Sequence, residues 1–120
     1  MYTMDCTVEK TLDYLAKKWS LLIILEIYKG DKYTRRYSEI KANLGKITPK
    51  ILSARLKELE QHELITKTID ATHFPIKCSY SLTSSGKDII KIIKDIKKWA
   101  LKWNKKNPVC QATNCKNCTF

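Results

Sequence analysis

Apolar residues recur at helical spacing in several stretches of this chain and at alternate positions in two others. Val8, Leu12 and Leu15 lie four and three apart, which predicts a helix over 7–16 with Thr7 as its cap. Lys17, Lys18 and Trp19 break that pattern, and Ser20 is the expected cap of a second helix over 21–28. That segment is apolar on most sides, so it reads as buried, and Gly30 follows as its C-terminal stop. Residues 32–37 are aromatic and basic and suit a brief strand. Ser38 then caps a third helix over 38–44, which Gly45 closes. After a tight turn over 45–48, Thr48 is an N-cap and Pro49 takes the first helical position. The fourth helix runs to about His62 with Leu52, Leu56 and Leu59 as its stripe. Ile65, Lys67 and Ile69 alternate with polar neighbours, as do Ile76, Cys78, Tyr80 and Leu82. These predict a hairpin over 64–69 and 76–82 with a tip at 70–75. Residues 83–86 cap a final helix whose stripe is Ile89, Ile92, Ile93, Ile96, Trp99, Ala100 and Trp103.

Two helices joined by a tight turn and followed by a hairpin make a winged helix-turn-helix. The expected fold is α+β and mainly helical, with a β-hairpin wing and a long C-terminal dimerisation helix. Residues 1–107 form one DNA-binding and dimerisation domain in this reading, and 108–120 a cysteine-containing tail.

Charge sharpens the picture. The 120 residues hold 23 Lys plus Arg against 12 Asp plus Glu, a formal charge of +11. Such an excess favours a polyanionic partner. Residues 29–57 carry nine basic side chains against two acidic ones, whereas the first 28 residues carry three against four. The positive charge therefore gathers on the helix-turn-helix, where phosphate contacts supply affinity.

The fourth helix is the candidate recognition helix. Its N-terminal part would meet base edges in the major groove. Lys50 can donate to guanine, Ser53 pairs with several bases, and the Ala54 methyl suits thymine. Lys46, Thr48, Pro49 and Lys57 join them on the face away from the leucine stripe, and Arg55 borders that stripe. Arg35 and Arg36 lead into the third helix and are expected at phosphates, with an internal salt bridge the alternative for Arg36. His73 and Lys77 are the wing's candidates.

Several segments resemble the HxlR branch of the MarR-like winged-helix regulators. They are Cys6-Thr-Val-Glu9, Lys18-Trp-Ser-Leu-Leu22, Arg36-Tyr-Ser-Glu-Ile40, Ile47-Thr-Pro-Lys-Ile-Leu-Ser-Ala-Arg-Leu-Lys-Glu-Leu-Glu60 and Tyr80-Ser-Leu-Thr83 with Gly86. The resemblance covers about residues 6–103. It implies a dimeric transcription regulator whose first and last helices form the interface, and places Thr48, Lys50, Ser53 and Arg55 near DNA, with Lys77 on the wing. On this basis Val8, Leu12, Leu15, Ile89, Ile92, Ile93, Ile96, Trp99 and Trp103 are the expected dimer residues. Two departures stand out: Glu63 replaces a usual Gly, and 76–79 lack the usual Arg and Glu of the wing. The breadth of the last apolar stripe independently favours a partner helix.

Cys6 matches a cysteine common in that family, and some members resemble oxidant or electrophile sensors. A position before a helix N-terminus favours a reactive thiolate; the alternative is a small buried residue. Cys110, Cys115 and Cys118 form C-x4-C-x2-C outside the family pattern. Their readings stay open between an idle tail, a disulfide, zinc with a fourth ligand, and an iron–sulfur cluster. No cofactor is otherwise expected.

An enzyme is not expected, since the chain shows no Gly-rich phosphate loop, no HExxH, and no nucleophile partner for His62 or His73. The longest apolar run, 21–25, is far too short to span a membrane, and residues 1–5 do not read as a secretory signal. The expectation is a cytoplasmic homodimer on double-stranded DNA, reading a palindromic operator, with no membrane partner and an effector the sequence does not name. The competing functions are nonspecific architectural DNA binding and a winged-helix protein-interaction module.

Overall fold

The computed structural model describes residues 6–72, 74–103 and 116. Helices α1 (Thr7–Leu15) and α2 (Ser20–Lys29) are followed by a 3-10 turn at Asp31–Tyr33 and strand β1 (Thr34–Arg36). Next come α3 (Tyr37–Leu44), α4 (Pro49–Gln61), β2 (Ile65–Asp70), β3 (Lys77–Leu82) and α5 (Ser84–Trp103). The strands make one antiparallel sheet in the order β1-β3-β2. β2 and β3 form the expected hairpin, from Ile65 opposite Leu82 to Asp70 opposite Lys77. β1 lies on the other edge of β3, where Thr34 Oγ1 and Ser81 Oγ share a 2.8 Å hydrogen bond.

The core is built around α2. Ile23, Ile24 and Ile27 have no exposed surface, and Ile40, Ile47, Leu52, Leu56, Leu59, Leu64, Ile65, Tyr80, Leu82 and Ile90 close over them. Burial of this kind is the main stabilising term for a domain of this size. Ile90 lies outside the stripe expected for α5, yet it is the isoleucine of that helix that is buried. Beyond it, no described residue of α5 is buried.

Two caps fall where local chemistry predicts. Thr48 Oγ1 accepts the Ile51 N–H at 3.2 Å with Pro49 in the first turn, and Thr83 Oγ1 accepts the Gly86 N–H at 3.2 Å. Three others differ. Cys6, not Thr7, occupies the N-cap of α1. Trp19, at φ 84°, occupies that of α2, and Ser20 is buried inside the helix. Arg36 precedes α3, its N–H donating to Glu39 Oε1 at 3.0 Å, because β1 keeps the backbone extended through Arg36. Strand pairing is also shorter than expected, since Lys32 and Tyr33 take left-handed backbone before it. Gly30 ends α2 for a different reason from the one expected. Its φ is −71°, but a Cβ there would lie 2.0 Å from the Thr34 carbonyl oxygen. The chain turns so tightly from α2 into β1 that only glycine fits.

Candidate nucleic-acid interface

The turn after α3 aims the N-terminal half of α4 outward. Lys46, Thr48, Pro49, Lys50, Ser53, Ala54 and Lys57 are all exposed, whereas Leu52, Leu56 and Leu59 are sealed in the core. Positions 50, 53 and 57 recur at three and four, so they share one open face. The hydroxyl of Thr48 caps the helix that carries them.

Arg55 departs from this group. It is half-buried, and its Nη1 lies 3.6 Å from Glu58 Oε1, while Glu58 Oε2 accepts from Lys17 Nζ at 2.7 Å. Arg35 departs further. Its Nε donates to the Glu26 carbonyl at 3.3 Å, and its Nη1 donates to Glu39 Oε2 at 3.5 Å. The buried carboxylate of Glu26 also accepts from Asn43 Nδ2 at 2.6 Å and lies 4.0 Å from both Arg35 Nη2 and Lys29 Nζ. The internal salt bridge considered for Arg36 thus belongs to Arg35. Adjacent residues of β1 point to opposite faces, and Arg36 is the exposed one. Part of the basic excess counted over 29–57 neutralises a buried acid rather than facing solvent.

A groove of about 570 Å³ separates α4 from the wing. Arg36 of β1, Tyr37 and Ser38 of α3 and Ser53 of α4 line it together with Lys67, Pro75, Ile76, Lys77, Cys78 and Tyr80 of the hairpin. Lys67 was not among the expected contacts. Its signal was present: it alternates with Ile65 and Ile69 on the inward face of β2, a place where a lysine needs a reason. Burial and a hydrogen bond with Cys78 hold the Tyr80 hydroxyl protonated well above its usual range. Asp70 Oδ1 accepts from both the N–H and the hydroxyl of Thr72, which hold its carboxyl below the usual value. His73 lies outside the described residues.

Apolar side chains collect elsewhere. Val8 and Leu12 of α1 and Ile92, Ile96, Trp99 and Trp103 of α5 are between 49% and 64% exposed. Leu22 on α2 is similarly open and was not foreseen. Leu15, Ile89 and Ile93, expected with them, pack instead on the chain's own core. Cys6 is half-buried and free of any disulfide. Cys110, Cys115 and Cys118 lie outside the described residues. Among the described residues no group of three or more metal-binding side chains converges, and no helix is long and apolar enough to cross a membrane.

A helix-turn-helix backed by a hairpin wing and a long final helix defines a winged-helix transcription regulator. The HxlR-like helix-turn-helix family model matches residues 14–108, and the chain belongs to that family. It is similar to the uncharacterized HTH-type transcriptional regulator YvaP of Bacillus subtilis, with 38% identity over 79% of this chain and 84% of YvaP. The HTH-type transcriptional regulator YodB of the same organism is 34% identical over 82% of this chain and 84% of YodB. The reduced form of YodB superposes with a TM-score of 0.72 at 30% identity, covering 87% of this chain and 99% of YodB. YodB has also been solved after diamide treatment and with quinone bound. A protein of Porphyromonas gingivalis W83 assigned to the MarR family gives a TM-score of 0.74 at 33% identity, covering 86% and 97%. These relatives are transcription regulators, not enzymes.

Proposed function

We propose that this regulator binds double-stranded DNA sequence-specifically as a homodimer, with α4 in the major groove and the β2–β3 hairpin along the adjacent backbone. The observation that carries the reading is the open face of α4, with Lys50, Ser53 and Ala54 exposed beside a groove bearing Arg36, Lys67 and Lys77. Lysine and serine there can read base edges, while the flanking cations neutralise phosphates. Arg35 acts in this account by positioning β1 and α3 rather than by touching DNA. This reading places the protein in the cytoplasm with its DNA and requires no cofactor for binding.

Dimerisation is supported by α1 and α5. None of the residues of α1 is buried within the chain. Tyr14 and Leu15 pack against the core from one side only, and a helix this short depends on packing for its stability. Its Val8 and Leu12, with the outer half of α5, supply the apolar surface a second copy would cover. Sedimentation equilibrium on the protein and on its complex with duplex DNA tests the reading. Two chains per duplex are expected, and Trp99→Asp should give monomers that bind DNA far more weakly. A wild-type monomer that binds duplex as tightly as the account requires of a dimer would contradict it.

A thiol response at Cys6 is a second reading, favoured by its place at the N-cap of α1 and by the diamide-treated and quinone-bound structures of YodB. Mass spectrometry after diamide, paired with a DNA titration, tests it. Cys6→Ser should then bind DNA whether or not diamide is present.

A further inference from the structure

The wing ends in an apolar tip that neither the core nor the α1–α5 face accounts for. Phe74 is 96% exposed, and Ile69 and Ile76 are 59% and 62% exposed. Ile69 stands opposite Cys78, on the strand face that carries buried Ile65 and Tyr80 further in. The inner face of the hairpin therefore continues outward past the end of the core and reaches the loop that holds Phe74. Three exposed apolar side chains at one end of the hairpin mark a contact surface.

Charge identifies what it contacts. Pro75, Ile76 and Lys77 line the same groove as Arg36, Ser53 and Lys67, so the apolar tip runs directly into the cationic wall beside α4. Asp70, the acid nearest the tip, is opposed by Lys77 across the strand pair. A partner seated here presents negative charge at its edge and apolar surface within. Duplex DNA does both, because Phe, Ile and Pro can wedge between base steps from the minor groove while cations hold the phosphates.

Resting on the DNA-binding reading above, we propose that Phe74, backed by Ile69 and Ile76, is a minor-groove wedge that partly unstacks one base step beside each recognition half-site. Specificity would then arise at positions α4 never touches, because pyrimidine–purine steps unstack most easily. The Asp70–Thr72 turn leads from β2 into the tip, its carboxylate accepting the Thr72 N–H at 3.0 Å.

The experiment uses the full chain and the duplex it enriches from a random pool, with 2-aminopurine placed at successive positions across the site. Wild-type protein should raise the fluorescence at one flanking step per half-site. Phe74→Ala should abolish that rise and weaken binding roughly tenfold, whereas Phe74→Leu should keep most of both. The melting temperature of Phe74→Ala should match the wild type, because the side chain it removes is almost wholly exposed. Unchanged affinity and fluorescence in Phe74→Ala, or no fluorescence rise with wild-type protein on a duplex it binds tightly, would overturn the wedge while leaving DNA binding intact. Failure of the wild type to enrich any duplex would overturn both.

Discussion

The ring of Tyr14 stacks on that of His62, with centroids 3.7 Å apart and planes inclined by 11°. Tyr14 belongs to α1, and His62 follows the last turn of α4. Nearby, Lys17 and Glu58 make the 2.7 Å ion pair. The helix whose outer face is exposed thus rests on the C-terminal end of α4. A shift of α1, at whose N-terminus Cys6 sits, would press on α4 through these two contacts. Tyr14→Ala and His62→Ala should each destabilise the fold, with a coupling between them of about 1 kcal/mol in a double-mutant cycle. Urea unfolding of the four proteins measures it, and strictly additive losses would show that the stack joins nothing.

Glu63 takes φ 62° immediately after α4. Left-handed backbone is costly for a residue with a Cβ and nearly free for glycine. Glu63→Gly should therefore stabilise the fold by up to about 1 kcal/mol, less the added entropy of the unfolded chain. Thermal unfolding decides it, and a lower melting temperature would show that the Glu63 side chain contributes more than its backbone costs.

Gly30→Ala should act in the opposite direction. The added methyl would sit 2.0 Å from the Thr34 carbonyl oxygen, which belongs to the paired strand β1 and cannot withdraw without breaking the sheet edge. A loss of at least about 2 kcal/mol is expected by analogy with overpacked cores. A variant as stable as the wild type would mean that the α2–β1 corner is looser than its geometry indicates.

Arg35 and Arg36 should separate cleanly although they are neighbours. Arg35→Ala removes a partner of buried Glu26 and should lower stability, because the buried carboxylate loses one of its two nearby cations and keeps only Asn43 and Lys29 of the partners described above. Arg36→Ala should leave the melting temperature nearly unchanged and weaken binding to all duplexes alike. The two effects exchanged would reverse the assignment of the two side chains.

Much of this was readable from the chain. The turn, the Thr48 cap and Pro49 were legible because each is specified by chemistry within a few residues. The hairpin was legible because Ile65, Ile69, Tyr80 and Leu82 alternate. Where tertiary contacts decide, the pattern fell short. Ser20 looks like a cap, but its small side chain is used for burial instead. The alternation of a strand says that one of Arg35 and Arg36 points inward; only the position of Glu26 shows which. The stripe of α5 gave its amphipathic face but not the boundary where Ile89, Ile90 and Ile93 meet the core and Ile92, Ile96, Trp99 and Trp103 do not. Lys67 is not legible from the pattern because a cation in that strand position has meaning only once the groove it lines is known.

Selection of preferred sites from random duplex DNA tests the central claim most directly. Enrichment of an inverted repeat with half-sites about one helical turn apart is expected, with relaxed preference at one position per half-site for Lys50→Ala. A pool that stays random after repeated rounds, although the protein retains DNA, would contradict sequence-specific reading by α4 and leave only architectural binding.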